Sequence, residues 1–324
     1  MTALLQLQSV SKRFFKPLDM FERFARRCGA NLSEQTVHAV DRVSFDVHEG
    51  EVVGLVGESG CGKSTLGRLA CGLHVPSGGE VRYRGVPLQT LAGKRRPVQM
   101  IFQDPFASLN PRMRVEEIIG EAPRVHGLVE ASQVAAFVAQ MLEQVGLDPA
   151  FGRRYPHQFS GGQRARIGIA RAIAVKPEFL VCDEAVAALD VSIQAQVLNL
   201  FMDLRESLGL TYLFISHDLG VVRFLSGRVV VMYLGRVVEI GSTEALFADP
   251  NHPYTQALLA EVPRLNRKRR TYVPIKGEIP SPLAPPPGCH FHPRCPQAMP
   301  HCAVEAPALR EIAPGRHSAC HLNA

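Results

Sequence analysis

The run Gly57-Glu58-Ser59-Gly60-Cys61-Gly62-Lys63-Ser64-Thr65 directly follows the apolar stretch Val52, Val53, Leu55 and Val56. It fits G-x-x-x-x-G-K-[ST], a strand-to-helix loop. Its glycines turn the backbone tightly enough for successive N–H groups and a helix N-terminus to converge on phosphate oxygens. In that pattern Lys63 reaches the β- and γ-phosphates and Ser64 ligates Mg²⁺. A chance glycine-rich turn is the competing reading, and the many specified positions in a strand–loop–helix context speak against it. Nucleotide binding is therefore expected. A bulky reagent on the Cys61 thiol should block it.

At 324 residues, 46% of them hydrophobic, the chain can fill one large domain and a smaller one. Its longest apolar runs, such as Val229 to Leu234, are strand-length and far short of the ~20 residues that span a bilayer. The N-terminus, Met1-Thr2-Ala3-Leu4-Leu5-Gln6, has neither the charged region nor the apolar core of a signal peptide, so a cytosolic compartment is expected. The eight cysteines then read as reduced thiols or metal ligands rather than disulfides. A net charge of +6 suits anionic lipid, nucleic acid or nucleotide without choosing among them. Basic clusters at Lys94, Arg95, Arg96 and at Arg264, Arg267, Lys268, Arg269, Arg270 read as solvated faces, with a membrane-surface role as the sharper alternative.

Residues 4 to 15 alternate apolar and polar and end at Phe14 and Phe15, as an opening strand would. An aromatic here suits adenine stacking or the core equally. Residues 16 to 37, with Met20, Phe21, Phe24 and Cys28 opposite several arginines, predict a short amphipathic insertion. Strands are predicted at 40–47, 51–56, 81–83 and 98–102. From Gln103 to about Val175 the period becomes helical, clearest at Val115 to Val125 and Val134 to Val145. Phe179-Leu180-Val181-Cys182 suits a buried parallel strand, a helix covers Val191 to Leu208, and Thr211 to Ile215 is a further strand. Alternation of this kind around a phosphate loop predicts a doubly wound α/β core. Near Asn251 the composition shifts to proline, cysteine and histidine.

Four residues at predicted strand ends complete a hydrolytic constellation. Asp183 is placed to hold Mg²⁺ through water, and Glu184 to polarise an attacking water. Gln103 is placed to contact the metal and that water, and His217 to hydrogen-bond the γ-phosphate. Ligands of open α/β sheets sit at these carboxyl ends. A second phosphate cradle, Ser160-Gly161-Gly162-Gln163, opens a helix of its own.

With both cradles in view, nearly the whole chain resembles the ATP-binding subunit of an ABC transporter. The resemblance implies an α/β P-loop NTPase fold, an ABC nucleotide-binding domain over 1–250 with a helical subdomain over about 104–175. It makes Phe14 the adenine-stacking residue, and Gly57, Ser59, Gly60, Cys61, Gly62, Lys63, Ser64 and Thr65 the ATP loop. Gln103 becomes the Q-loop residue, with Ser64, Gln103 and Asp183 around Mg²⁺, Glu184 the catalytic base and His217 the switch histidine. Family members pair head to tail, so Ser160, Gly161, Gly162 and Gln163, the signature motif, would serve the partner's ATP, and Asp190 would lie in the D-loop at the dimer interface. Two positions depart from the family pattern: Ala185 and Ala187 replace the usual proline and serine. Neither removes a catalytic group, and slower hydrolysis is the expected consequence.

The tail stretches His252 to Leu259, Gly277 to Pro282 and Pro287-Gly288-Cys289 resemble the C-terminal extension of dipeptide and oligopeptide importers, shared with nickel and glutathione importers. Pro263-Arg264-Leu265-Asn266 favours the second ATPase subunit type. A small Cys/Pro-rich C-terminal domain over 251–324 is expected. Its Cys289, Cys295, Cys302 and Cys320 suggest a metal staple in a segment too small for its own core. By spacing they are not a paired C-x-x-C zinc site. The resemblance implies a [4Fe-4S] cluster; zinc and unliganded thiols are the alternatives.

The expected assembly is this chain, a second ABC ATPase subunit of different sequence, two membrane permeases and an extracytoplasmic solute-binding protein. It would sit peripherally on the cytoplasmic face of the inner membrane, with no nucleic acid involved. A soluble ABC ATPase that remodels nucleic acid or ribosomes is the rival of another class. Such chains usually carry two cassettes or a long coiled coil, and neither is read here. A P-loop kinase or GTPase is the second rival, and the signature helix and His217 argue against it.

Overall fold

The computed structural model describes residues 3–16, 20, 35–91, 97–104, 107–261 and 277–323. Both basic clusters, the Pro263–Asn266 stretch and most of the amphipathic insertion lie outside them. Twelve strands are described: β1 (Ala3–Lys16), β2 (Gln35–His48), β3 (Val52–Val56), β4 (Gly78–Tyr83), β5 (Val86–Pro87), β6 (Val98–Ile101), β7 (Phe179–Asp183), β8 (Thr211–Ile215), β9 (Arg228–Tyr233), β10 (Arg236–Ser242), β11 (Arg310–Ala313) and β12 (Arg316–Ser318). The helices are α1 (Lys63–Ala70), α2 (Val115–Val125), α3 (Val134–Gln144), α4 (Gly161–Ile173), α5 (Val191–Leu208), α6 (Leu219–Leu225), α7 (Thr243–Ala248) and α8 (Pro253–Ala260). No helix among the described residues is long and apolar enough to cross a membrane.

The main sheet has the order β11-β12-β10-β9-β3-β8-β7-β6. Strands β6, β7, β8, β3 and β9 run parallel. Every residue of β3, β7 and β8 is buried, as their unbroken apolar, β-branched and aromatic sequence requires of strands covered on both faces. Pairings such as Ile101 with Cys182, Asp183 with Ile215 and Leu55 with Ile215 hold the four carboxyl ends level. Gly57, Gln103, Asp183 and His217 thus leave the sheet along one edge.

A second, antiparallel sheet, β2-β1-β4-β5, packs over α1 and the main sheet. Leu5, Leu7, Val43, Val47 and Val81 form its inner face, against Leu55, Leu66, Leu69 and Ile215. Phe14 and Phe15 at its rim are 37% and 65% exposed, so neither is a core residue. The Asp41 carboxylate binds Arg236 Nε at 2.7 Å, tying this sheet to β10.

Helices α2, α3, α4 and α5 enclose a second core through Ile119, Val138, Leu142, Ile167 and Phe201. Gly120 lets α2 approach α3: a Cβ there would collide with Val134.

Beyond residue 251 the chain is joined to the main sheet rather than set apart from it. β12 pairs with β10, Glu239 opposite Ser318, and β11 adds outside it. The fully buried Glu239 carboxylate accepts from the Asn251 and His252 N–H groups, both at 2.9 Å, which fixes the entry to α8. The shift to proline and cysteine at the sequence level did not disclose these strands, because β11 and β12 are short and polar.

Candidate active site

The phosphate loop connects β3 to α1. Gly57 and Gly62 have φ of 151° and 106°, and a Cβ at either would strike a backbone carbonyl, Met232 O or Ala39 O respectively. Only glycine combines that conformation with that approach. Lys63 is buried, its Nζ donating to Gly57 O at 2.7 Å and Glu58 O at 3.0 Å. Those two carbonyls lay its charge along the inside of the loop. The Cys61 thiol is 5% exposed, and burial pushes its pKa up. A buried thiol of this kind reacts poorly.

Ser64 Oγ donates to Asp183 Oδ1 at 2.9 Å, bringing two of the three predicted Mg²⁺ residues together. Burial raises the Asp183 pKa, partly countered by the Ser64 hydrogen bond and reinforced by the neighbouring Glu184 charge. A divalent cation at this position would offset that burial cost. The two side chains present hard oxygen donors, as Mg²⁺ requires.

Glu184 follows with φ of 49°, a left-handed conformation rare outside glycine. Its N–H donates to Ile215 O at 3.0 Å, and its carbonyl accepts from Ala187 N–H at 3.0 Å. These two hydrogen bonds close the turn. Ala185 fills a buried position in the helical-side core. The Glu184 carboxylate is bracketed: Gln103 Nε2 donates to Oε2 at 2.6 Å, and His217 Nδ1 lies 3.3 Å from Oε1. Two bonded sets, Ser64 with Asp183 and Gln103 with Glu184 and His217, thus lie side by side through the adjacent residues 183 and 184, and Lys63 precedes Ser64 in the loop.

The signature residues belong to a separate place. Ser160 caps α4, its Oγ accepting from Gln163 N–H at 3.3 Å while Gln163 Oε1 accepts from Ser160 N–H at 3.1 Å. A Cβ on Gly162 would collide with Ile193, so this helix start abuts the first turn of α5, whose N-cap is the exposed Asp190. Phe14 stands edge-on to His74 with ring centroids 5.6 Å apart, beneath the Lys12 ammonium.

Cys289, Cys295, Cys302 and Cys320 line one cavity of about 20 Å³ with His252, Phe291 and His321. Burial raises the pKa of Cys289, Cys295 and Cys320, and the nearby Cys302 raises each of them further. Among the described residues, no three histidine, cysteine or acidic side chains are arranged to hold a metal ion.

Sequence reasoning missed the outer support of the loop. Tyr254 Oη accepts from Glu58 N–H at 2.8 Å, and Arg294 holds the Glu58 carboxylate with both terminal nitrogens, at 2.7 and 2.9 Å. Tyr254 stood in a recognised stretch, but nothing in its spacing pointed back across the chain to residue 58.

Residues 40–187 match the ABC transporter family model, and residues 238–302 match the oligopeptide/dipeptide transporter C-terminal region. The chain is 49% identical to the oligopeptide transport ATP-binding protein AppF of Bacillus subtilis, over 98% of this chain and 97% of that one. It is 54% identical to YkfD of the same organism, over 89% and 91%. Among solved structures, a dimeric ATP-binding cassette, MJ0796, bound to ADP and Pi in a post-hydrolysis state superposes with a TM-score of 0.62 at 26% identity, covering 74% of this chain and 98% of that one. With a phosphate loop, a strand-end acidic pair and this degree of likeness along almost its full length, the chain belongs to the ATP-binding subunits of ABC transporters, in the branch that carries the oligopeptide/dipeptide transporter C-terminal region.

Proposed function

We propose that this chain hydrolyses ATP to power import of di- or oligopeptides through membrane permeases, working from the cytoplasmic face of the inner membrane. The observation that carries the reading is the set of polar side chains at the carboxyl ends of β3, β6, β7 and β8: Lys63 folded along the loop, Ser64 bonded to Asp183, and Glu184 held by Gln103 and His217. The peptide class is supported by the C-terminal family match and by the description of AppF.

In this reading the loop N–H groups and Lys63 bind the ATP phosphates, and Ser64, Asp183 and Gln103 surround Mg²⁺. The ion supplies charge neutralisation at the transferred phosphoryl group. Glu184 takes the proton of the attacking water, and Gln103 and His217 hold its carboxylate in line. Phe14 stacks on adenine. Ser160 to Gln163 and Asp190, away from this group, complete the nucleotide site of a second ABC ATPase subunit, of different sequence, paired head to tail. The nucleotide-binding domain is assigned to 1–250, with its helical subdomain over about 104–175, and the C-terminal unit to 251–324. An extracytoplasmic solute-binding protein delivers the substrate.

The four C-terminal cysteines are read as holding a [4Fe-4S] cluster. Four thiols facing one cavity favour a shared group. The cluster would supply a cross-link for a loop-rich tail. Iron and sulfide content and visible absorbance of anaerobically purified protein distinguish cluster, zinc and free thiols.

The test of the transport reading is reconstitution of the chain with its co-expressed permeases and second ATPase in liposomes. ATP turnover should rise when peptide-loaded solute-binding protein is supplied on the opposite face. Turnover that ignores peptide but responds to nickel or glutathione moves the substrate class, and co-purification with nucleic acid in place of permeases sinks the reading.

A further inference from the structure

Glu58 occupies a position that the phosphate-loop pattern leaves open, yet it is held from outside the loop on two sides. Its N–H donates to Tyr254 Oη at 2.8 Å. Its carboxylate receives Arg294 Nη1 on Oε2 at 2.7 Å and Nη2 on Oε1 at 2.9 Å. The Arg294 side chain is 5% exposed and that of Glu58 19%. Nη1 also donates to Tyr233 Oη at 3.3 Å, and the guanidinium lies 5.8 Å from the centre of that ring. A two-pronged, nearly dry pair fixes orientation as well as distance.

That orientation passes inward. The Glu58 carbonyl accepts from Lys63 Nζ at 3.0 Å and from Cys61 N–H at 3.3 Å. Turning the Glu58 peptide would therefore displace the loop's cation and one of its backbone donors together. It also passes outward. Arg294 ends a single 3₁₀ turn, His292–Arg294, with its own N–H on Phe291 O at 3.0 Å, and the next residue is Cys295. Phe291 packs in one apolar cluster with Val56, Tyr233 and Tyr254, and Cys289 and Cys295 rest against that cluster.

We propose that Arg294 is a positioning residue for nucleotide binding. With Tyr254 it holds the phosphate loop in its binding shape from the C-terminal region, so that a change at the thiol cavity alters nucleotide affinity through Arg294 and Glu58. The proposal rests on the assignment of the loop as the ATP site.

The test is equilibrium binding of a fluorescent ATP analogue to the full-length chain, well below its melting temperature, with thermal melts run alongside. Arg294→Met should weaken binding roughly tenfold or more, about 1.4 kcal/mol per tenfold. Arg294→Lys, which offers one point donor in place of a fork, should recover part of the loss. The double variant Arg294→Met with Glu58→Gln should bind no more weakly than Arg294→Met alone, since the pair acts as a unit. Cys295→Ala should weaken binding in the wild-type background and add nothing in the Arg294→Met background. A folded Arg294→Met protein with wild-type affinity overturns the proposal, as do losses that simply multiply. If Arg294→Met does not fold, Arg294→Lys and Glu58→Gln carry the test, and wild-type affinity in both overturns it. Failure of the unmutated chain to bind the analogue sinks the ATP-site assignment instead.

Discussion

Gln103 Nε2 donates to Glu184 Oε2 at 2.6 Å, joining the end of β6 to the residue after β7. His217 stands on the other carboxylate oxygen. A carboxylate held on both oxygens is oriented rather than free to rotate, as a base that must meet one water requires. Glu184→Gln keeps the side-chain shape and removes the basicity. It should retain ATP binding, lower turnover in the assembled transporter by ~10²–10⁴-fold, and accumulate the closed ATPase pair. Unchanged turnover would falsify the assignment of the base.

Ser64 and Asp183 share a hydrogen bond beneath the loop, and Asp183 is held there against the cost of its burial. Asp183→Asn removes the buried charge but keeps an acceptor oxygen for Ser64. The variant should melt no lower than the wild type without nucleotide, and should lose the gain in nucleotide affinity that Mg²⁺ confers. Intact Mg²⁺ dependence in a titration of the variant would place the metal elsewhere.

These two groups were legible in the sequence because each ends a short apolar strand, and burial of such strands on both faces leaves little freedom in where their carboxyl ends fall. Val191 to Leu208 was legible for a different reason: a long helical period bounded by Asp190 and Gly209 has clear start and stop signals. The attachment of residues 310–318 to β10 was not. β12 is set by pairing with β10, nearly eighty residues earlier, and β11 by pairing with β12, and the side chains of both are mostly polar. The Arg294 contact with Glu58 was hidden for the same physical reason, since a salt bridge between distant positions leaves no periodicity in either neighbourhood.

Gly162 sits where α4 starts against Ile193. Gly162→Ala should lower the melting temperature, and Ile193→Ala added to it should restore part of the loss by removing the obstructing branch. Ser160→Ala breaks the reciprocal cap with Gln163 and should cost about 1 kcal/mol of stability. Neither Ser160→Ala nor the Gly162 pair should alter ATP affinity of the isolated chain, whereas turnover in the two-ATPase assembly should fall. A parallel loss of affinity in the isolated chain would show that the signature acts on its own chain's nucleotide.

Asp41 links the antiparallel sheet to β10 through Arg236. Burial pushes its carboxyl pKa up, but the Arg236 hydrogen bond and charge, with smaller contributions from Arg42 and His290, more than offset this and leave it below the ordinary 3.8. The folded state therefore binds the proton less readily than the unfolded chain. The stabilisation is fully present above pH 3.8 and is lost as pH falls through the lowered folded-state value. Asp41→Asn should destabilise the protein near neutral pH by ~1.5–3 kcal/mol, the range for a hydrogen bond to a charged group. The gap between variant and wild type in urea midpoints should stay constant from pH 7 to 5 and narrow only in strong acid. A gap that closes already by pH 5 would mean that a group other than Asp41 carries the charge pairing at this joint.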